Sequence, residues 1–68
     1  MAIENISPKR MMRMRQLTDY CALSRAFIYQ QINEGNFPVG YMLSRGVRAW
    51  EKTEIDNWLE KRMRGEWS

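Results

Sequence analysis

Gln30 and Asn33 each carry an amide that donates and accepts at once, the combination that an adenine edge presents in the major groove of DNA. Before them stand Arg25, whose guanidinium can reach a guanine edge or a phosphate, and Tyr29, whose hydroxyl can bond phosphate. Ala26 is small enough to let a helix approach closely, or to touch a thymine methyl. At about 100° per residue, Ala26, Tyr29, Gln30 and Asn33 point to one side of a helix, with Ile28 and Ile32 on the other. Gln31 lies beside the two isoleucines, and Arg25 and Phe27 fall on the flanks. Such residues are also common on plain solvent-facing helices, so this face gains meaning only from the elements that hold it.

Catalysis has far less to work with. The chain has no histidine, and Cys21, its one cysteine, falls on the apolar side of a predicted helix as a buried structural thiol. Glu51, Glu54 and Asp56 crowd a helix start, where the helix dipole explains them. One thiol and scattered carboxylates offer no metal-ligand spacing, and the glycines form no phosphate-cradling loop. No catalytic residue, metal or cofactor is expected, and the chain reads as a non-enzyme.

With 68 residues the chain is expected to form one domain of modest stability, about 3–5 kcal/mol. No disulfide can staple it, so the core must come from the 44% of residues that are apolar. A lone cysteine fits a reducing compartment. Met1 to Pro8 lacks the apolar run of a signal peptide, and no stretch reaches the length of a membrane span. A cytoplasmic, soluble protein without a membrane partner is expected. Residues 1–10 read as a flexible N-terminal arm, 11–64 as the folded domain, and 65–68 as a tail.

Within the domain, Met12-Arg13-Met14 alternates as a short strand leading into a helix, with Met14 inward and Arg13 outward. Leu17 and Cys21 mark one face of a short helix from Arg15 to Cys21. Ala22-Leu23 breaks it, and Ser24 is the natural N-cap of a second helix running to about Glu34. Gly35-Asn36 and Phe37-Pro38 stop that helix. Val39–Leu43 and Val47–Trp50 read as strands around a turn at Ser44-Arg45-Gly46. A last helix, with Thr53 as cap, presents Ile55, Trp58, Leu59 and Met63 to the core and closes at Gly65. Trp50 and Trp58 are expected in the core, whereas Trp67 either covers its edge or marks a contact with another chain.

Two short helices joined by a break of a couple of residues make a helix–turn–helix, in which the first helix braces on phosphate and the second reads base edges. The hairpin that follows is basic at its tip through Arg45, with Arg48 on the return strand, and can act as a wing against backbone or minor groove. From Lys9 to Arg48 seven basic residues face only Asp19 and Glu34, a one-sided charge suited to phosphate. The expected fold is mainly α with a small β-hairpin, a winged helix–turn–helix. The expected DNA contacts are Arg15, Arg25, Ala26, Tyr29, Gln30, Asn33, Arg45 and Arg48.

The order Leu23-Ser24-Arg25, Ile28-Tyr29, Gly35-Asn36-Phe37-Pro38, Trp50 and Glu54-Ile55-Asp56-Asn57-Trp58-Leu59 resembles the AlpA family of prophage regulators and the related phage excisionases. The likeness runs from about Met12 to Arg62. It implies a MerR-like winged helix–turn–helix that binds double-stranded DNA. Members act as small transcription regulators, or as directionality factors that bend attachment-site DNA for an integrase, and both roles stand. By position it implies Ser24 as helix cap, Arg25, Ala26, Tyr29 and Gln30 on the reading face, Arg45 and Arg48 in the wing, and Trp50 and Trp58 in the core. The family often carries serine and threonine at Ala26 and Phe27, a basic residue at Gln30 and an aliphatic one at Gln31. These departures imply a different DNA site, and Gln31 is expected to bond the wing backbone.

The competing expectation is a protein–protein adaptor that binds an integrase or another regulator through Met11, Met12, Tyr41, Met42 and Trp67. No leucine-rich dimer helix follows the domain, so a monomer in free solution is expected, with cooperative binding along DNA left open.

Overall fold

The computed structural model describes residues 10–66, so the arm up to Lys9 and Trp67 lie outside the described residues. In chain order the elements are β1 (Met11–Met12), α1 (Met14–Cys21), α2 (Arg25–Asn33), β2 (Tyr41–Ser44), β3 (Val47–Glu51) and α3 (Lys52–Met63). The strand expected over Met12–Met14 is thus Met11–Met12, though Met14 is buried and Arg13 exposed as the alternation required.

Helix α1 buries Met14, Leu17 and Cys21 along one stripe, and the Gln16 side chain accepts from the Arg13 backbone N–H at 3.0 Å at its start. It ends at Ala22, whose φ of 59° is left-handed. A residue with a Cβ there costs about 1–2 kcal/mol. The reversal sets α2 to start three residues later, and the Ser24 hydroxyl accepts from the Phe27 N–H at 3.1 Å, as an N-cap should. Ile28 is wholly buried, and Gln31 is the buried polar residue of the helix.

Strands β2 and β3 form an antiparallel hairpin with Tyr41 opposite Ala49, Met42 opposite Arg48 and Ser44 opposite Val47, and a register irregularity between Met42 and Ser44. The turn is the two residues Arg45-Gly46, with Ser44 still in the strand, and β2 begins at Tyr41 rather than Val39. Strand β1 adds to the other edge of β3, with Met12 opposite Trp50, giving the order β1-β3-β2. Cross-strand partners share a face, so Met12 enters the core beside Trp50.

Helix α3 departs from expectation at both ends. Its N-cap is Glu51, without a side-chain cap bond, and Thr53 lies inside the first turn. The chain runs directly from β3 into the helix, and the Lys52 N–H bonds to the Arg10 carbonyl at 2.8 Å. A neighbouring backbone thus satisfies a donor that a cap would otherwise take. Ile55 is wholly buried and Trp58 and Leu59 pack against the core, but Met63 is 76% exposed. The last hydrogen bonds from α3 to α2 and its following loop come from Arg62, so the turn beyond it has nothing to bury against.

The core joins Met12, Met14, Leu17, Cys21, Ile28, Phe37, Trp50 and Ile55. Both expected tryptophans anchor the loop after α2. Trp50 Nε1 donates to the Pro38 carbonyl at 2.8 Å, and Trp58 Nε1 to the Asn36 carbonyl at 2.6 Å. Tyr20 ties α1 to α3 by donating to Asp56, which also pairs with Lys52 at 3.0 Å. The bond to Asp56 raises the Tyr20 phenol above its ordinary pKa, and the bonds from Tyr20 and Lys52 lower the Asp56 carboxyl. Three helices and a small antiparallel sheet make up the described chain, an architecture that fits a winged helix–turn–helix. No described helix is long and apolar enough to cross a membrane.

Candidate nucleic-acid interface

Register decides what the wing shows to the helices. Because Met42 pairs with Arg48, and Arg48 and Trp50 are two apart, these three side chains share the inner face of the hairpin. An open groove of about 610 Å³ separates that face from α1 and α2. Buried Met14 and Trp50 form its floor, and Arg13 and Arg15 line it at the start of α1. Arg25 and Tyr29 line it from α2, and Arg48 and Met42 from the wing. Arg15, Arg25, Tyr29 and Arg48, widely spaced in sequence, therefore meet at one place. Ala26, Gln30 and Asn33 are exposed on α2 outside the groove lining, and Arg45 is exposed at the tip of the turn.

Charge is divided just as sharply. Among the described residues the ion pairs are Arg10–Glu51, Lys52–Asp56, Arg64–Glu60 and Arg64–Glu66. None involves Arg13, Arg15, Arg25, Arg45 or Arg48. Most described acids lie on α3 or beside it, so the groove side carries cations without acidic partners among the described residues. Such a concentration of like charge draws an anion and repels itself in its absence.

Arg13 was not expected at the nucleic-acid site, and Met42 was expected only on an adaptor surface. Arg13 is the polar member of the Met12-Arg13-Met14 alternation, a visible signal once the strand is known to abut the groove. Met42 gave none, because its facing depends on the register. Gln31 does not bond the wing. Its Oε1 accepts from Arg62 at 2.9 Å and its nitrogen donates to Glu34 at 3.4 Å, since the buried flank of α2 faces α3. Arg62 also stands over the Trp58 ring at 4.5 Å.

The residues expected to form one adaptor surface are dispersed. Met12 is buried and Met42 faces the groove, while Met11, Tyr41 and Leu43 outline a separate hollow with Arg10 and Glu51. Trp67 is outside the described residues. Cys21 is buried, and desolvation, with the nearby Asp56 charge, pushes its thiol up to about 11. A thiol-alkylating reagent is expected to leave the folded protein unmodified at pH 7–8 and to react at once in denaturant. Equal rates in both conditions would contradict the burial.

A protein of Enterobacteria phage P4 described as "Uncharacterized protein ORF88" is 32% identical over 65 residues, spanning 96% of this chain and 74% of the phage protein. No solved structure matches the chain significantly. The family model described as "Prophage CP4-57 regulatory protein (AlpA)" matches residues 10–63, nearly the whole of the described chain. The chain belongs to the AlpA family of prophage regulatory proteins.

Proposed function

We propose that this protein is a sequence-specific double-stranded DNA-binding regulator of phage type, acting in the cytoplasm as a transcriptional regulator or excisionase and not as an enzyme. One observation carries the reading: the groove between α2 and the wing is walled by Arg13, Arg15, Arg25 and Arg48, and none of them has an acidic partner among the described residues. In this reading a phosphodiester strand lies along that groove, Arg45 reaches phosphate from the wing tip, and the outer face of α2 meets base edges. Family membership supports a regulatory role, and the groove supplies the chemistry for it.

Binding of this kind releases counterions, so affinity falls with salt at a log–log slope of about −0.9 per phosphate neutralised. With roughly 4–6 contacts the slope is expected near −4 to −5. Titration of a labelled random duplex at low and rising salt measures it, and absence of binding at low salt would sink the reading.

A second reading keeps DNA binding and adds a docking partner, an integrase or another regulator. It is favoured by the hollow beside Tyr41 and Leu43, which are 46% and 56% exposed. Its expectation is a complex that survives nuclease and high salt and is lost in Leu43→Glu.

A further inference from the structure

Glu34 is out of place by two physical criteria. It closes α2 at the C-terminal end, where the helix dipole disfavours an anion. It is also one of only two acids between Lys9 and Arg48, the stretch that carries the cations of the groove and wing. Its hydrogen bonds supply a reason. One carboxylate oxygen accepts from Gln31 Nε2 at 3.4 Å and the other from Gln30 Nε2 at 3.3 Å.

The orientation of each amide in this chain follows from what its neighbour can do. A guanidinium only donates, so Arg62, 2.9 Å away, requires the oxygen of Gln31 to face it. The nitrogen of Gln31, a residue 8% exposed, is thereby turned to Glu34. An ionised carboxylate only accepts, so Glu34 in turn requires the nitrogen of Gln30 to face it. The oxygen of Gln30 then points away from Glu34, and one N–H remains available beside it. An adenine edge offers a donor at N6 next to an acceptor at N7, the complement of that pair. Guanine offers two acceptors there, and thymine an acceptor and a methyl. An unrestrained glutamine can rotate its amide to suit either order of donor and acceptor, whereas a restrained one demands a single order.

We propose that Glu34, held through Gln31 by Arg62, is a positioning residue that fixes the amide of Gln30 for recognition of adenine in the major groove. This rests on the DNA-binding reading given above and deepens it. Glu34→Gln removes the restraint, because the new amide can both donate and accept, and it also removes a negative charge near phosphate.

The test is selection of bound sequences from a randomised duplex pool by the natural protein, Gln30→Ala and Glu34→Gln, with random-duplex affinity measured for each. The natural protein is expected to select adenine at one position by about tenfold or more, and Gln30→Ala to lose that preference. Glu34→Gln is expected to lose it at the same position only, while its random-duplex affinity stays level or rises. Retention of adenine by Glu34→Gln overturns the proposal. So does a loss of preference at every position together with weaker binding, the mark of a damaged fold. If the natural protein binds DNA but no position depends on Gln30, the positioning role fails and the DNA reading survives. If none of the three proteins binds duplex at low salt, both fail.

Discussion

Replacing Arg15, Arg25 and Arg48 together by glutamine is expected to lower affinity for every duplex by about 500-fold at 0.1 M salt. The figure comes from counterion release. Three lost phosphate contacts flatten the log–log salt dependence by about 2.7, and lines of different slope that converge near 1 M lie about 2.7 decades apart at 0.1 M. The three guanidiniums line one groove from three elements and have no acidic partner among the described residues, so their charge is available to phosphate. Glutamine keeps part of the aliphatic stem and a polar end, and leaves the buried floor of Met14 and Trp50 untouched. Arg64→Gln is the informative control, because Arg64 already pairs with Glu60 and Glu66 and stands at the C-terminal cap of α3. Its slope is expected to match the natural protein's. Fluorescence anisotropy of a labelled random duplex across a salt series reads both. A triple variant with an unchanged slope would place the DNA elsewhere on the molecule.

The second large effect concerns the base of the wing. Gly40 has a φ of 82°, and a Cβ built there would lie 2.8 Å from the Ala49 carbonyl oxygen and 2.9 Å from the Trp50 ring. Neither neighbour can give way easily. The carbonyl belongs to the central strand, and Trp50 is 1% exposed with its Nε1 bonded to the Pro38 carbonyl. Gly40→Ala therefore combines left-handed strain with overpacking, about 2–4 kcal/mol together. A domain of this size has only about 3–5 kcal/mol in total, so the variant is expected to be largely unfolded near 37 °C. Gly46 has a similar φ of 73° but no atom within 4 Å of its built Cβ. Gly46→Ala is expected to cost roughly 1 kcal/mol, from strain alone. Urea unfolding followed by tryptophan emission compares the two, and equal midpoints would show that the contact with β3 is not what constrains Gly40.

Much of this molecule was legible one residue after another. The Ser24 cap acts on an amide three residues ahead, and Leu17 and Cys21 share a face because a helix repeats every 3.6 residues. The outward set of Ala26, Tyr29, Gln30 and Asn33 follows from the same repeat, and the tip of the wing from the polar stretch Ser44-Arg45-Gly46, of which Ser44 belongs to β2. These features depend on bonds and angles between near neighbours, so local order in the chain is enough to specify them. The residues quoted for the family resemblance lie mostly at such positions.

Other features depend on partners that local spacing cannot identify. Thr53 looked like the cap of α3, yet the Arg10 carbonyl meets the Lys52 N–H across the sheet and the helix begins earlier. Gln31 looked like a flaw in an apolar stripe, yet Arg62, 31 residues onward, makes it part of a bonded chain. Met42 was expected on an adaptor surface, yet its pairing with Arg48 sets it, still exposed, on the groove side of the hairpin. The groove itself is the clearest case. The sequence by itself determined that the basic residues before Arg48 far outnumber the acidic ones, and that α2 has a polar outer face. Only the tertiary structure decided that Arg13, Arg15, Arg25 and Arg48 share one groove while most described acids lie on or beside α3. The physical reason is that strand register and helix packing are settled by burying Trp50, Ile28, Leu17 and Ile55 together, and the exposed arginines are carried to wherever that core places them.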